Sequence, residues 1–147
     1  VIDDFTHGWQ DWYTLSADNP HHWEFSTRKL NDLKWQGQTG QRLVLDVQSE
    51  QPNELVIVLT ENFFRSYRGK SQEFVAVVKL KGGKAETLSL TPDDFRTTDG
   101  ETLLSWKNVD LLSLRAYYER DGKLLGSKNW TGPQPKFHEL RWATGQH

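Results

Sequence analysis

The chain has 147 residues, 35% of them hydrophobic and 26% charged, with a net charge of −2 and a pI near 6.2. This length favours one globular domain with its own core. The slightly acidic balance gives no attraction for nucleic acid or an anionic membrane surface, so we expect neither as a partner. Cysteine is absent, which excludes disulfides and thiolate metal sites. Because the chain starts at Val1 and has no methionine, we expect residues 1–147 to be one domain excised from a larger protein.

Short strands separated by turn residues are predicted in the first third of the chain. Trp12 to Leu15 and His22 to Ser26 have the composition and alternation of half-buried strands. Between them, residues 16–21 read SADNPH, which is typical of a turn. Residues 28–39 show no clear period and are predicted to be a loop. Arg42 to Gln48 is an amphipathic strand at period two, with one apolar face: Leu43, Leu45 and Val47.

The central stretch from Glu54 to Leu80 contains two apolar runs around a charged, aromatic connection. Leu55 to Leu59 and Phe74 to Val78 are nearly continuous in aliphatic and aromatic residues, which predicts strands covered on both faces near the middle of a sheet. The connection concentrates rings and charges in residues 61–70. Loops on a rigid scaffold often carry binding residues, so this connection is predicted to contribute to function.

The last third of the chain continues the alternation of turns and strands. Glu86 to Leu90 is predicted as a strand, followed by a helical turn at Thr91 to Asp94. Val109 to Glu119 is predicted as one long strand, and Lys136 to Trp142 as the closing strand. Residues two apart on a strand share a face, so Leu112, Leu114, Ala116 and Tyr118 are predicted to face the core, and the opposite face carries Arg115, Tyr117 and Glu119.

This pattern of about nine or ten short strands with frequent turns predicts an all-β fold, an antiparallel β-sandwich. The absence of a repeat of fixed period argues against a propeller or a solenoid. A jelly roll, with one concave sheet, is the favoured variant of the sandwich.

Four stretches resemble galactose-binding-like jelly-roll modules in their order. They are IDDF at 2–5, RLVLDV at 42–47, TLSLTPDDF at 87–95 and SWKNVDLLSL at 105–114. Such domains look like the carbohydrate-binding modules of secreted polysaccharide-degrading enzymes. The resemblance therefore implies a jelly-roll sandwich, an extracellular or periplasmic location and an appended catalytic domain as partner. The final strand departs from the pattern, because it carries His138-Glu139-Leu140 where many such modules have an Asp pair.

Sugar binding is also favoured by residue chemistry, because a sugar offers C–H patches that stack on rings and hydroxyls that both donate and accept hydrogen bonds. We therefore predict a site for a polysaccharide or oligosaccharide on the concave sheet. Its candidate residues come from the strand face and from neighbouring loops: Arg115, Tyr117, Glu119, Asn62, Arg65, Tyr67, Trp35 and Trp130. The alternative is that tryptophans such as Trp12, Trp23, Trp106 and Trp142 fill the sandwich ends.

A structural calcium ion is a further hypothesis. Asp3 or Asp4 and Glu139 lie close together if the two terminal strands join the same sheet, and carboxylate oxygens suit calcium. The alternative is that these carboxylates make ordinary turn hydrogen bonds.

Catalysis is not expected. Carboxylates are abundant, but no spacing selects two of them as a glycosidase pair. The five histidines lack zinc-ligand spacing, and no G-x-S-x-G, phosphate-binding glycine loop or dinucleotide motif is present. The function we predict is a non-catalytic carbohydrate-binding module. The alternatives are a structural sandwich that braces a catalytic domain and, less favoured, a small polysaccharide hydrolase or a lyase using Tyr67 or Tyr117 with Arg115.

Overall fold

A computed structural model describes residues 2, 4–5, 12–15, 23–27, 37–62, 71–120, 123–126 and 130–144. No helix in these ranges is long and apolar enough to span a membrane. A single 3₁₀ turn, Pro92–Asp94, lies at the predicted helical turn. The strands are β1 Trp12–Leu15, β2 Glu24–Thr27, β3 Arg42–Gln48, β4 Asn53–Glu61, β5 Gln72–Leu80, β6 Ala85–Leu90, β7 Val109–Arg115, β8 Tyr117–Arg120, β9 Lys123–Gly126 and β10 Lys136–Ala143.

Two antiparallel sheets form the body of the protein. One has five strands in the order β1-β2-β7-β4-β5, and the other has three in the order β10-β3-β6. The inner faces of both sheets contribute to one hydrophobic cluster, as in a β-sandwich. The predicted all-β, antiparallel architecture is confirmed.

The core between the sheets follows the period-two pattern of the strands. In β3, Leu43, Leu45 and Val47 point inward, as predicted from their spacing. Aromatic rings fill one part of this core around Trp23, which stacks on Phe25 at 5.5 Å and meets the ring of Trp130 edge-on at 5.1 Å. The N-terminal segment closes this region, since the backbone N–H of Ile2 donates to the carbonyl of Leu140 at 2.7 Å. Ile2 is thus hydrogen-bonded to β10.

The prediction that both central strands lie in the middle of a sheet is correct for β4 and wrong for β5. β4 lies between β7 and β5, and its residues from Leu55 to Thr60 are all buried. β5 is the last strand in the order, and Val77 and Lys79 on its outer side are exposed. An apolar run alone does not distinguish a central strand from an edge strand. The edge of β5 is partly paired in any case, since Val75 forms an antiparallel bridge with Arg96.

The predicted long strand from Val109 to Glu119 is interrupted at Ala116. β7 ends at Arg115, the chain bends at Ala116, and β8 then pairs with β9 in a separate two-stranded hairpin. We call this hairpin, residues 117–120 and 123–126, the strap. It contacts β4 and β5 on the outer face of the five-stranded sheet.

The bend at Ala116 reverses the alternation of side chains that follow it. Ala116 and Tyr117 pack against the core between the sheets, whereas Tyr118 joins a second buried cluster with Val56, Val58 and Val75. The predicted assignment of Tyr118 to the main core is therefore wrong. The period-two rule holds only within an uninterrupted strand, and one bent residue is enough to exchange the two faces.

Candidate functional site

A row of charged side chains crosses the outer face of the five-stranded sheet. Register places Glu24 of β2 opposite Arg115 of β7. The Nε of Arg115 lies 2.7 Å from Oε1 of Glu24, and its Nη2 lies 3.8 Å from Oε2 of Glu73 on β5. The Glu24 contact is ionic, because the Nε–H is not oriented for a hydrogen bond. Arg115 therefore connects two carboxylates across the sheet.

Tyr118 joins this row to the strap. Its hydroxyl lies 3.0 Å from Oε1 of Glu73 and is positioned to donate to it, and the guanidinium of Arg115 lies 5.6 Å from the centre of its ring. A cation over an aromatic face is attracted by the ring quadrupole. The strap is thus fixed to the sheet by polar contacts as well as by the apolar contacts of Tyr118.

Hydroxyl groups lie beside the charged row. The hydroxyls of Ser26 and Ser113 are 2.8 Å apart, and Ser113 is fully buried. Thr60 of β4 faces the same outer side of the sheet and is also buried. Its Oγ1 has no hydrogen-bond partner within the described ranges. Buried polar atoms are normally paired, so an unpaired hydroxyl marks a place where a water or ligand group is expected.

Of the predicted site residues, Arg115 lies on this outer face but Tyr117 does not share it. The side chain of Tyr117 packs against the main core, while Glu119 is exposed on the strap. The prediction that Arg115, Tyr117 and Glu119 form one strand face is wrong, because the bend at Ala116 separates the first from the other two. The aromatic residue next to Arg115 is Tyr118.

Trp130 was predicted on a binding loop but is buried with 0% exposure. Its indole N–H donates to the carbonyl of Pro133 at 2.9 Å. The amide side chain of Asn53 holds the neighbouring Thr131 by donating to its carbonyl and accepting from its N–H, both at 2.9 Å. This bidentate contact draws the loop against the sandwich and places Trp130 in the core.

Asn62 lies just beyond the end of β4. Its backbone adopts φ of 57°, a left-handed conformation that asparagine tolerates, and its N–H donates to the carbonyl of Asn108. It therefore does not continue the strand face of Thr60. The other predicted loop residues, Trp35, Arg65 and Tyr67, lie outside the described residues.

Of the predicted calcium ligands, Asp4 and Glu139 lie in the described part of the chain. Asp3 lies outside it, and within it no group of three or more acidic or histidine side chains could hold a metal. Glu139 instead faces the guanidinium of Arg141 at 3.3 Å, and the same nitrogen lies 2.7 Å from Oδ2 of Asp46. A fixed guanidinium disfavours a second cation at these carboxylates.

The electrostatics of Asp46 follow from this pairing. Burial by itself would raise the pKa of Asp46, but hydrogen bonds from Thr87 and Arg141, with the charge of Arg141, outweigh burial and lower it. Arg141 shows the reciprocal effect, because the hydrogen bond to Asp46 raises its pKa. This network stabilises the outer face of the three-stranded sheet.

A different carboxylate, Glu61 at the end of β4, has a raised pKa. The main cause is burial, and the nearby charge of Asp110 adds to it. The register of β4 and β7 shifts at this point, between Thr60 and Glu61. The two acidic residues thus meet where the sheet becomes irregular.

The aromatic side chains whose exposure the structure describes, a set that does not include Tyr13, are buried or half-buried. Trp12, Trp23 and Trp106 fill the core, as the alternative reading of the tryptophans predicted. Trp142 is half-buried beside Trp106, with ring centres 5.2 Å apart. An open ring platform for stacking is therefore not found in this part of the chain.

Sequence reasoning did not identify Glu24, Glu73 and Ser26, which complete the set of polar residues on the outer face. They are distant from Arg115 in the chain and are brought to the same face of the sheet by strand pairing. No family model, no curated protein and no solved structure matches the chain. The residues and their geometry are therefore the basis for a functional proposal.

Proposed function

We propose that the protein is a non-catalytic carbohydrate-binding module with a jelly-roll sandwich fold. The single observation that carries this proposal is the row Glu24, Arg115 and Glu73 on the outer sheet face, next to the hydroxyl of Tyr118. These three charged side chains are partly exposed, between 21% and 26%. They combine donors and acceptors within reach of one another, which hydroxyl-rich ligands require.

The strap supports the proposal because it projects above the outer face along one side of the charged row. It covers β4 and β5, while the charged residues of β2 and β7 lie beside it. A chain of sugar units could lie along this step, with its hydroxyls on the charged row. The net charge of −2 favours a neutral polysaccharide over a polyanion.

The jelly-roll assignment, the extracellular or periplasmic location and the appended catalytic domain belong to the same proposal. The chain crosses repeatedly between the two sheets, from β2 to β3 and back to β4, and from β5 to β6 and back to β7. Such crossing between two sheets is typical of Greek-key sandwiches, including jelly rolls.

Affinity electrophoresis in gels containing xylan, mannan, galactan or mixed-linkage β-glucan tests the proposal. We expect retardation by at least one polymer, and Glu24→Ala should weaken it about tenfold or more. Glu101→Ala removes an exposed carboxylate elsewhere and serves as the matched control. Unchanged retardation of Glu24→Ala, or no retardation of the folded parent by any polymer, would contradict the proposal.

The second candidate is a structural sandwich that braces a catalytic domain without binding sugar. The observation in its favour is that the described aromatic side chains are buried or half-buried, whereas a sugar binder is expected to expose at least two rings in one groove. The same gels distinguish the two candidates. A brace migrates alike in every gel.

A structural calcium ion remains a separate proposal, resting on Asp3, Asp4 and Glu139. If it is bound, removing it with a chelator lowers the thermal midpoint, and added calcium restores it. An unchanged midpoint after chelation in calcium-containing buffer would overturn the ion proposal, and the ion pair between Glu139 and Arg141 would then account for Glu139.

A further inference from the structure

A cleft of about 300 Å³ lies away from the outer-face row, beside the starts of β3 and β7. Its lining comes from two short segments, Gly37 to Thr39 and Ser105 to Lys107. We propose that this cleft is a second carbohydrate site, which takes a single pyranose unit such as the end of a chain. The inference rests on the proposed function and adds a place and a ligand size to it.

Both walls of the cleft are held by their own hydrogen bonds. In the first, the N–H of Gln38 donates to Oε1 of Gln41 at 2.7 Å, and the N–H of Gln41 donates back to the carbonyl of Gln38 at 3.1 Å. In the second, the N–H of Val109 donates to the carbonyl of Trp106 at 3.1 Å. The two walls are also joined, because the indole of Trp106 donates to the carbonyl of Gln41 at 2.9 Å. Such prior ordering lowers the entropic cost of binding.

The floor of the cleft is aromatic and packed closely. Trp106 meets Phe95 edge-on at 5.9 Å and lies against Trp142. A Cβ on Gly37 would lie 2.7 Å from the ring of Trp142 and 2.9 Å from that of Trp106, so the absence of a side chain lets the backbone approach both rings. Trp106 is 3% exposed and therefore offers an apolar edge to the cleft, not a full stacking face.

The polar side chains around this floor suit a sugar ring. Gln38, Thr39 and Ser105 supply groups that both donate and accept, and Lys107 adds donors. The described lining contains no carboxylate, which disfavours a metal cation as the ligand. A volume of about 300 Å³ is at the lower limit for ligand pockets and matches one small ring better than a chain.

Nuclear magnetic resonance titration of the whole 147-residue chain with methyl pyranosides of glucose, galactose, mannose and xylose tests this inference. With so few contacts and no open stacking face, we expect a Kd on the order of 1–10 mM. The backbone amides of the two lining segments and the indole N–H of Trp106 should shift together. A parallel titration with the methyl glycoside of glucuronic acid shows whether Lys107 favours an acidic sugar.

The triple variant Gln38→Ala, Thr39→Ala and Lys107→Ala changes three exposed side chains of the cleft. We expect it to weaken pyranoside binding at least fivefold. The matched control changes exposed residues of the same three types elsewhere, with Gln72→Ala, Thr131→Ala and Lys84→Ala, and should bind as the parent does.

The outcomes separate this inference from the function on which it rests. The cleft inference is overturned if no pyranoside at 100 mM changes the amide resonances of the cleft while a polysaccharide still shifts the resonances of Glu24 and Arg115. The outer-face proposal then stands. If the cleft responds but no polysaccharide reaches the outer face, the cleft site is supported and the outer-face proposal fails. If neither site responds to any sugar, both the cleft inference and the outer-face proposal are overturned.

Discussion

The two faces of β4 are built from one run of aliphatic residues but are stabilised in different ways. The inner face, with Leu55, Ile57 and Leu59, packs into the large core between the sheets. The outer face, with Val56 and Val58, is covered by the strap, which adds one buried ring and a few polar contacts. Loss of volume should therefore be most damaging inside, whereas the outer face should depend on a small number of specific contacts.

The largest expected effect comes from breaking the inner face with Trp130→Ala. The ring is fully buried beside Trp23, so its removal should lower the free energy of unfolding by about 3–5 kcal/mol. Denaturant unfolding measures this change. Leu104→Ala is the control, because Leu104 is 93% exposed and should change stability by less than about 0.5 kcal/mol. A loss for Trp130→Ala as small as that of the control would place the ring outside the core.

Tyr118→Ala breaks the outer cluster and should cost about 2–4 kcal/mol, less than a core tryptophan. Tyr118→Phe keeps the ring and removes the contact with Glu73, so its cost should be about 0.5–1.5 kcal/mol. Denaturant unfolding of both variants separates the apolar part from the polar part. Equal losses for the two would mean that the hydroxyl, not the ring, holds the strap.

Gly126→Ala tests how closely the strap fits the sheet. Gly126 has φ of 83°, and an added Cβ would overlap Cγ2 of Val56. The combined backbone strain and overlap should cost about 1–3 kcal/mol. Pairing it with Val56→Ala removes the overlap, so the double variant should lose less stability than the sum of the two single changes. Simple additivity would contradict the contact.

The smallest expected effect is a pH dependence of stability due to Glu61, the last residue of β4. Its pKa is raised, so the folded state holds the proton more tightly than the unfolded state does. Stability due to this group is present at low pH and is lost as the pH rises from about 4.3, the ordinary value for glutamate, through the raised pKa. Glu61→Gln should therefore raise the thermal midpoint at pH 7, by roughly 1–3 °C because solvent screens a partly exposed group.

Thermal melts at pH 3 and pH 7 check this sign. The stabilisation by Glu61→Gln should disappear at pH 3, where the parent carboxyl is protonated. Glu101→Gln, an exposed site, should show no such difference. A variant equally stabilised at both pH values would point to a cause other than the charge.

Much of the candidate site depended on partners that are far apart in the sequence. Arg115 was identified from its place on a strand with aromatic neighbours, but Glu24 and Glu73 reach it only after β2, β7, β4 and β5 are paired. Trp130 was wrongly predicted to be an exposed loop residue, because nothing in a loop of polar residues, glycine and proline indicates that it packs against the sandwich. Its burial comes from Asn53, 78 residues away from Thr131.

The sequence by itself determined where most strands lie and which residues of β3 point inward. Alternation at period two is a local property of an extended backbone, and the burial of Leu43, Leu45 and Val47 follows it directly. The tertiary structure alone decided that the long strand breaks at Ala116, that Tyr118 packs under the strap and that β5 ends its sheet. These features depend on which strands pair and which surfaces are covered, and that balance of long-range contacts is not encoded in the spacing of neighbouring residues.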